Sequence, residues 1–284
     1  MTPPPTMVAL YAPADRPERF GKALDAGADA VIVDLEDAVT ASRKDQARAA
    51  LAGFAAEWVA RDPEQRPAVQ VRVNARGSRW HDDDVAAVNR LPGEFGIRLP
   101  KTQSADDVHA VQSAASARTV HALLETALAV ERAFEIASSG AASVAAGEAD
   151  LRSELGIPAG AAGEPGLAYS RARLINAAAA AGLPSPLMAV WADVVDLDGL
   201  EQSCRMGKAL GYAGRTAIHP RQIATIRGVF TPTSAEIDRA RGILERVASA
   251  AADGTGAFVL EDGTFIDVAM VRSAERIVAV APAP

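Results

Sequence analysis

Two acidic residues follow apolar runs that are typical of buried β-strands. Glu125 closes the run VHALL at 120–124, and Asp150 follows the run at 143–147 by three residues. Their separation of 25 residues is about one strand-helix unit of a barrel, which would place both at the same rim. Two carboxylates with open positions suit Mg²⁺, which takes one or two protein carboxylates and keeps several waters. Alternatively, each carboxylate pairs with an arginine or a helix N-terminus, because a buried carboxylate is costly without such a partner.

A second set of charges lies at neighbouring strand ends. Arg72 belongs to the run VQVRVN at 69–74, in which apolar and polar residues alternate. Its guanidinium could clamp a carboxylate or stabilise a developing enolate oxygen, or it could form a structural ion pair. Glu36 and Asp37 end the second strand in the same fashion. They are candidates for orienting the waters of a bound metal ion, or for simple pairing with Arg16 or Arg72.

Two other motifs favour structural roles. The run HDDD at 81–84 resembles a metal cluster, but consecutive acids are typical of a solvated helix start. The Gly-rich stretch 156–166 has neither a Gly-Lys-Ser/Thr ending nor a GxGxxG opening, so we interpret it as a long loop and not as a nucleotide cradle.

Short branched runs alternate with longer Ala-rich stretches along most of the chain, which predicts a parallel sheet covered by helices. The predicted strands are residues 8–12, 30–35, 68–74, 96–100, 120–125, 143–147, 187–190 and 216–218. Eight strands at this spacing indicate an α/β fold of the (β/α)₈ TIM-barrel type, with an open doubly wound sheet as the alternative. Ser104 with Asp107, and Asp15 with Glu18, predict capping boxes that begin helices.

The pattern changes after the eighth strand. Residues 233–252 predict a long helix, residues 258–267 a hairpin around Asp262-Gly263, and residues 268–278 a last helix. We therefore predict a barrel domain over residues 1–230 and a C-terminal helix and arm over residues 231–284. Such an arm packs on its own barrel or on a neighbouring subunit.

Composition excludes several classes of protein. The chain has 284 residues, 49% of them hydrophobic, and a formal net charge of −7. No basic run interleaved with aromatic residues indicates nucleic-acid binding, and no apolar run approaches the roughly 20 residues of a membrane span. Cys204 is the one cysteine, so neither a disulfide framework nor a thiolate metal cage is available. We expect a soluble cytoplasmic protein.

A set of short motifs, in order along nearly the whole chain, resembles the citrate lyase beta subunit family of the HpcH/HpaI aldolase superfamily. The motifs are YAPADRPERF at 11–20, VDLEDA at 33–38, VRVN at 71–74, LPK at 99–101, LET at 124–126, GEADL at 147–151, IHPRQ at 218–222 and DGTFID at 262–267. Each is weak alone, but together they are specific.

The resemblance implies a barrel that assembles into homotrimers or hexamers and binds Mg²⁺ at its C-terminal rim. By resemblance, Glu125 and Asp150 match the metal carboxylates, and Glu125 also contacts substrate. Arg72 matches an arginine that contacts substrate and steadies an enolate. Asp267 matches an aspartate that a neighbouring subunit delivers to the site. The chain departs from the family pattern at Ala149, where many relatives carry glutamate, and at two further positions, Ala129 and Met188.

The implied reaction is reversible carbon–carbon cleavage of a β-hydroxyacyl thioester such as citryl-, malyl- or citramalyl-CoA. Its products are an acetyl-type thioester and an α-oxo acid: oxaloacetate, glyoxylate or pyruvate. The carrier is coenzyme A, for which Arg16, Arg19 and Lys22 are candidate contacts, or an acyl carrier protein accompanied by a citrate lyase alpha subunit. The alternatives are a thioester hydrolase or malate-synthase-like enzyme with the same enolate site, and a non-catalytic oxo-acid-binding protein.

Overall fold

The structure is a computed structural model that describes residues 6–115, 118–252, 258–259, 265–266 and 268–281. The described residues divide into two compact units, residues 6–227 and the described residues from 228 onward. The boundary after residue 230 and the placement of the arm on a neighbouring subunit stay predictions.

The first unit contains eight strands that alternate with helices. The strands are β1 (Val8–Pro13), β2 (Ala30–Asp34), β3 (Ala68–Arg72), β4 (Gly96–Leu99), β5 (Val120–Leu124), β6 (Ser143–Ala146), β7 (Leu187–Met188) and β8 (Gly214–Ala217). The helices between and after them are α1 (Phe20–Leu24), α2 (Lys44–Val59), α3 (His81–Val88), α4 (Ala105–Ala114), α5 (Ala127–Glu131), α6 (Ala133–Ala137), α7 (Glu148–Leu155), α8 (Ala168–Ala180), α9 (Leu197–Leu210) and α10 (Gln222–Phe230).

All eight strands are parallel and follow the order β6-β5-β4-β3-β2-β1-β8-β7. The two ends of that order, β6 and β7, lie beside each other, so the sheet curls into a nearly closed barrel. This order confirms the predicted (β/α)₈ fold, because a doubly wound open sheet reverses its strand order at the centre. The eighth strand begins two residues earlier than predicted, at Gly214.

Strand patterning decides which side chains enter the barrel. In β3, Val69 and Val71 are buried, whereas the alternate residues Gln70 and Arg72 are half-buried on the other face. In β2 every residue is buried, as expected for a parallel strand covered on both faces. Polar residues at alternate positions of β3 are therefore directed into the barrel.

Helix ends agree with the sequence at one predicted capping box and disagree at the other. Ser104 and Asp107 form the predicted reciprocal box at the start of α4. The Asp15–Glu18 box is wrong, because Pro17 begins a short 3₁₀ turn before α1. The buried Asp15 carboxylate instead forms an ion pair of 2.8 Å with Arg43. The predicted loop at 156–166 also contains local order, a 3₁₀ helix at Ala161–Leu167.

The second unit contains α11 (Ser234–Ala252), β9 (Phe258–Val259), β10 (Phe265–Ile266) and α12 (Val268–Ala279). The two short strands pair antiparallel, as a hairpin requires, and the helices pack through Ala240, Ile243 and Ala274. Of the helices in the described ranges, none combines the length and apolar composition that a bilayer crossing needs.

Candidate active site

A cavity of about 1450 Å³ opens within the barrel unit. Its lining includes Arg72, Glu125 and Asp150, which end or follow β3, β5 and β6. The structure therefore brings together the three residues that the sequence singled out at separate strand ends.

Glu125 is the buried carboxylate of this group. Its side chain follows β5, is 4% exposed, and accepts a hydrogen bond of 2.7 Å from the backbone N–H of Lys101 through Oε2. Burial and the nearby negative charge of Asp150 raise the pKa of Glu125 to about 7, against the opposing effects of the Lys101 hydrogen bond and the Arg72 charge. A buried carboxylate with a raised pKa beside a second carboxylate is a site that a cation stabilises.

Two backbone features hold Glu125 in place. Lys101 has φ of +50°, in the left-handed region that is unfavourable for residues other than glycine, and this conformation accompanies its N–H bond to the carboxylate. Gly147 leaves the space on the other side. A Cβ built there would lie 2.7 Å from Glu125 Cδ and closer still to Oε1 and Cγ. The Gly147 position therefore admits no side chain while Glu125 keeps its conformation.

Asp150 lies in the first turn of α7, which begins directly after Gly147. It is exposed to the cavity, in contrast to Glu125. A carboxylate in the first turn also interacts favourably with the helix dipole. Asp150 therefore fits both alternatives: it lies at a helix N-terminus and beside Glu125.

Arg72 lies within a group of three acids. Its Nε and Nη2 each donate a hydrogen bond of 2.7 Å to the two oxygens of Asp34, a bidentate pair. Nη1 lies 3.1 Å from Glu36 Oε2 and 3.3 Å from Asp37 Oδ2. The guanidinium also stacks 4.9 Å from the centre of the Tyr11 ring. These contacts fix Arg72 with its side chain only 11% exposed, on the wall of the cavity.

Glu36 and Asp37 therefore pair with Arg72, one of the two alternatives that the sequence left open. Glu36 is buried, and burial together with neighbouring acids raises its pKa to about 8 despite the Arg72 charge. Asp37 is exposed, with 62% of its side chain accessible. Their role in orienting metal-bound waters stays a prediction.

A buried lysine supports the turn that carries these acids. Lys44 Nζ donates to the carbonyls of Leu35 and Glu36, at 2.6 and 2.7 Å, and to Asn74 Oδ1 at 2.7 Å. Asn74 in turn donates its backbone N–H to Asp84 at 2.8 Å. Burial lowers the pKa of Lys44, and the surrounding acids oppose that effect.

The HDDD run at 81–84 has two structural members. His81 and Asp84 are buried and bind the backbone of Asn74, whereas Asp82 and Asp83 are exposed in the first turn of α3. The run therefore supports the turn beneath Arg72.

An ion-pair chain positions the helix that carries Asp150. Glu148 makes a bidentate pair with Arg171 of α8, with both hydrogen bonds at 2.7 Å. Arg171 also binds Glu164 at 2.7 Å, and Glu164 binds Arg152. The arginines lower the pKa of Glu164 against the effect of its burial. The chain ties α7, α8 and the loop between them into one wall of the cavity.

The remaining predicted residues fall into three groups. Arg19 and Lys22 are exposed and line the cavity, whereas Arg16 is exposed and does not belong to the lining. Asp267 lies outside the described residues. Among the departures from the family pattern, Met188 lines the cavity and Ala129 is fully buried away from it.

Sequence reasoning did not assign roles to Asp34, Lys101, Gly147 and Arg98. The first three lie within the quoted motifs VDLEDA, LPK and GEADL, which were used as family markers only. Arg98 interrupts the apolar residues of β4, and an inward polar residue on a buried strand was the available signal.

The donor set fits a hard divalent cation. Glu125 and Asp150 offer carboxylate oxygens, and Glu125 Oε2 is already held by a backbone N–H. Within the described ranges no group of three His, Cys, Asp or Glu side chains forms a ready ligand set. Magnesium, which keeps several water ligands, matches a two-carboxylate site better than zinc, which takes three or four protein ligands.

Fold and site together define a (β/α)₈-barrel protein with acidic and cationic groups gathered in one cavity. The family model for HpcH/HpaI aldolase/citrate lyase matches residues 7–220. The chain belongs to this family, and it is therefore an enzyme of the oxo-acid lyase class.

Similar proteins cover almost the full length. The chain is 33% identical to a citrate lyase subunit beta-like protein of Deinococcus radiodurans, over 98% of both chains. It is 34% identical to a (3S)-malyl-CoA thioesterase of Cereibacter sphaeroides, over 98% of this chain and 95% of the relative. Protein CitE from Mycobacterium tuberculosis, solved in complex with magnesium, acetoacetate and coenzyme A, is 34% identical with a TM-score of 0.80 over 99% of both chains.

Proposed function

We propose that this enzyme is a Mg²⁺-dependent lyase that cleaves or forms a β-hydroxyacyl thioester such as citryl-, malyl- or citramalyl-CoA. The products of cleavage are an acetyl-type thioester and an α-oxo acid. The observation that carries the proposal is the buried Glu125 carboxylate, placed beside Asp150 in the same cavity as a fixed arginine, Arg72.

Glu125 and Asp150 are the residues that would hold the metal ion. When bound, Mg²⁺ acts as a Lewis acid on the oxygen of the carbon that becomes the ketone of the oxo acid. Lys101 contributes through its backbone, because its N–H fixes one oxygen of Glu125. Magnesium in the structure of the similar CitE protein supports the choice of metal ion.

Arg72 is the residue that we assign to the enolate oxygen. In cleavage the hydroxyl loses its proton to water and becomes the ketone oxygen, while the bond to the thioester α-carbon breaks. The bonding electron pair stays on that carbon, and delocalisation places negative charge on the thioester oxygen. An arginine has five N–H donors. The Asp34 pair uses the single donor of Nε and one of the two on Nη2, so the second N–H of Nη2 has no acceptor among the described residues. A fixed donor of this kind is typically worth about 3 kcal/mol at the transition state.

Protonation of the enolate carbon completes the cleavage. We assign this step to Asp267 on the resemblance alone, with a neighbouring subunit of a homotrimer or hexamer as its source. The C-terminal arm would then supply part of each active site. Gel filtration with light scattering tests the assembly, and mixing Arg72→Lys with Asp267→Asn protein tests the sharing. Partial recovery of activity in the mixture would require sites built from two chains.

The carrier of the acyl group is the second part of the proposal. Arg19 and Lys22 lie on the cavity wall, where they could meet the phosphates of coenzyme A. We propose a free-standing cytoplasmic CoA enzyme. An acyl carrier protein with a citrate lyase alpha subunit is the alternative set of partners.

A thioesterase is the second candidate function. The similarity to a (3S)-malyl-CoA thioesterase favours it, because hydrolysis of the thioester can follow the same enolate chemistry. The two functions release different products: the lyase leaves acetyl-CoA, whereas the hydrolase leaves free CoA.

Incubation with citryl-, malyl-, citramalyl- and acetyl-CoA plus oxo acids, with Mg²⁺ or EDTA, tests both functions by mass spectrometry. Mg²⁺-dependent appearance of acetyl-CoA with an oxo acid from one thioester is expected. Free CoA as the first product would instead establish the hydrolase. Oxo-acid binding without turnover of any thioester would contradict both and favour a carrier-protein substrate or a binding protein.

A further inference from the structure

Arg98 is a buried arginine on the strand between Arg72 and Glu125. It lies on β4, where its Cα pairs with Arg72 of β3 on one side and with His121 of β5 on the other. The residue is 4% exposed, and it lines the same cavity as Arg72 and Glu125. Its side chain is therefore withdrawn from bulk water but open to a bound ligand.

The guanidinium of Arg98 has no ionic partner among the described residues. Of its five N–H donors, only Nε–H has an acceptor in the described part of the chain, the neutral Gln70 Oε1 at 2.9 Å. No carboxylate among the described residues lies within 4.0 Å of it. Two other buried arginines of this cavity, Arg72 and Arg171, are each paired with two or more acids. A third, Arg215, donates to the Ala189 carbonyl and to Cys204 Sγ, so two of its donors are used within the protein.

Such an arrangement is costly unless a ligand completes it. Burial of an unpaired cation is unfavourable, and a neutral glutamine compensates only one of its donors. A neutral carbonyl of the ligand would satisfy a donor but not the charge. A carboxylate would satisfy both, since its two oxygens match the planar fork of the guanidinium.

We propose that Arg98 binds the second carboxylate of a dicarboxylic α-oxo acid and thereby selects such acids over monocarboxylic ones. This inference rests on the proposed function, in which Glu125 and Asp150 would hold the metal ion that acts on the oxo group of the acid. Arg98 lies deeper in the barrel than the metal carboxylates, since it pairs in register with His121, four residues before Glu125. The carboxylate at the other end of a four-carbon acid would point into the cavity toward it.

Oxaloacetate and pyruvate test the proposal, because they differ by one carboxylate. Calorimetric titration with Mg²⁺, using freshly dissolved ligand in the cold, gives both affinities for the wild type and for Arg98→Met. We expect the wild type to prefer oxaloacetate. The variant should bind oxaloacetate about 10²-fold more weakly and pyruvate within about threefold, as expected for loss of one buried charge partner.

Gln70→Met is the matched control, because it removes the hydrogen-bond partner that Arg98 has in the described part of the chain and leaves the guanidinium in place. If Arg98 only supported the barrel through Gln70, both variants would weaken both ligands alike, which would overturn the proposal. Equal affinity of the wild type for the two acids would also overturn it, as would an unchanged preference in Arg98→Met.

A further variant covers the case in which Arg98→Met does not fold. Arg98→Lys keeps the charge without the planar fork, and it should weaken oxaloacetate about tenfold with pyruvate unchanged; unchanged oxaloacetate affinity would refute the assignment. These titrations contain no thioester. An enzyme that cleaves a thioester but shows no Arg98-dependent preference contradicts this inference alone, and a preference without any turnover contradicts only the proposed function.

Discussion

The substitution Gly147→Ala adds one methyl group directly against the Glu125 carboxylate. Gly147 has φ of −93° and ψ of 84°, so alanine suffers no left-handed strain there and the effect is purely one of space. The new Cβ would overlap Glu125 Oε1 and Cγ, and Glu125 is buried with its other oxygen bound to Lys101 N–H. The carboxylate must therefore rotate away and give up that hydrogen bond.

The magnitude follows from two contributions. Inserting a methyl group into a packed site costs about 1–3 kcal/mol, and the lost hydrogen bond adds about 1 kcal/mol. We therefore expect the free energy of unfolding to fall by roughly 2–4 kcal/mol in urea titrations. If Glu125 is a metal ligand, Mg²⁺ affinity should also fall, by about 10–100-fold, as is usual when the groups that orient a ligand are disturbed.

Gly53→Ala is the matched control. Gly53 lies in the middle of α2, is exposed, and has no atom within 4 Å of a built Cβ. The same chemical change there should raise the free energy of unfolding by about 0.5–1 kcal/mol and leave Mg²⁺ binding unchanged. A Gly147→Ala protein as stable as wild type would refute the placement of Glu125. Reduced stability with normal Mg²⁺ affinity would keep the placement and reject Glu125 as a ligand.

Three further predictions address separate features of the barrel. Arg72→Lys keeps a cation beside Asp34 but loses the planar guanidinium and its paired N–H donors, so turnover should fall about 10²-fold or more. The circular dichroism spectrum should stay unchanged. Normal turnover would reject the enolate role. Burial, and to a smaller extent the nearby Arg98 charge, lowers the pKa of His121 to about 3. The imidazole therefore stays neutral in the folded state, whereas in the unfolded state it takes up a proton below about pH 6.5. The free energy of unfolding should therefore fall as pH falls from 6.5 toward 3, by about 2 kcal/mol between pH 6.5 and 5. Urea titrations of His121→Asn should show a smaller fall over this range. An equal fall in both proteins would contradict the burial of a neutral imidazole. Arg171→Met leaves Glu148 buried without its cation and should lower the free energy of unfolding by about 3–5 kcal/mol. The double variant with Glu148→Met should recover most of that loss in the same urea titration. An equal loss in both variants would show that the ion pair is not the cause.

The strand ends could be predicted because they follow from patterns of two kinds. Runs of branched apolar residues at regular spacing predicted the barrel, and a charged residue at the end of such a run predicted a side chain in the cavity. Glu125, Asp150 and Arg72 satisfied both conditions. Their common position follows from the parallel order of the strands, since all carboxyl ends of a parallel barrel meet at one rim.

The supporting groups could not be predicted in the same way. Lys44 lies in a helix, where a lysine is ordinarily solvated, and only the fold shows that it binds the carbonyls of Leu35 and Glu36. Lys101 acts through its backbone, which has a left-handed conformation. A lysine in the sequence does not predict that conformation. The Asp15–Glu18 box failed for a similar reason, because a long-range partner, Arg43, competed with the local cap.

Charge in the cavity is divided between two regions, and this division limits what can bind. Asp34, Glu36 and Asp37 surround Arg72, and Asp150 approaches Glu125, so acids outnumber cations at the strand ends. Burial is the main cause of the raised pKa values of Glu36 and Glu125, about 8 and 7, and the neighbouring acids add to it. A cation is needed there before an anionic acid can approach.

On β4 the balance is reversed, because within the described ranges Arg98 has only a neutral partner, Gln70. A ligand that complements both regions carries metal-binding oxygens at one end and a carboxylate at the other, which is the description of a dicarboxylic oxo acid with its divalent cation. Metal and acid should therefore bind cooperatively. Removing Mg²⁺ with EDTA should weaken oxaloacetate binding far more in the wild type than in Glu125→Gln. The reason is that the variant already has one acid fewer at the strand ends. Equal weakening in both proteins would contradict this division of charge.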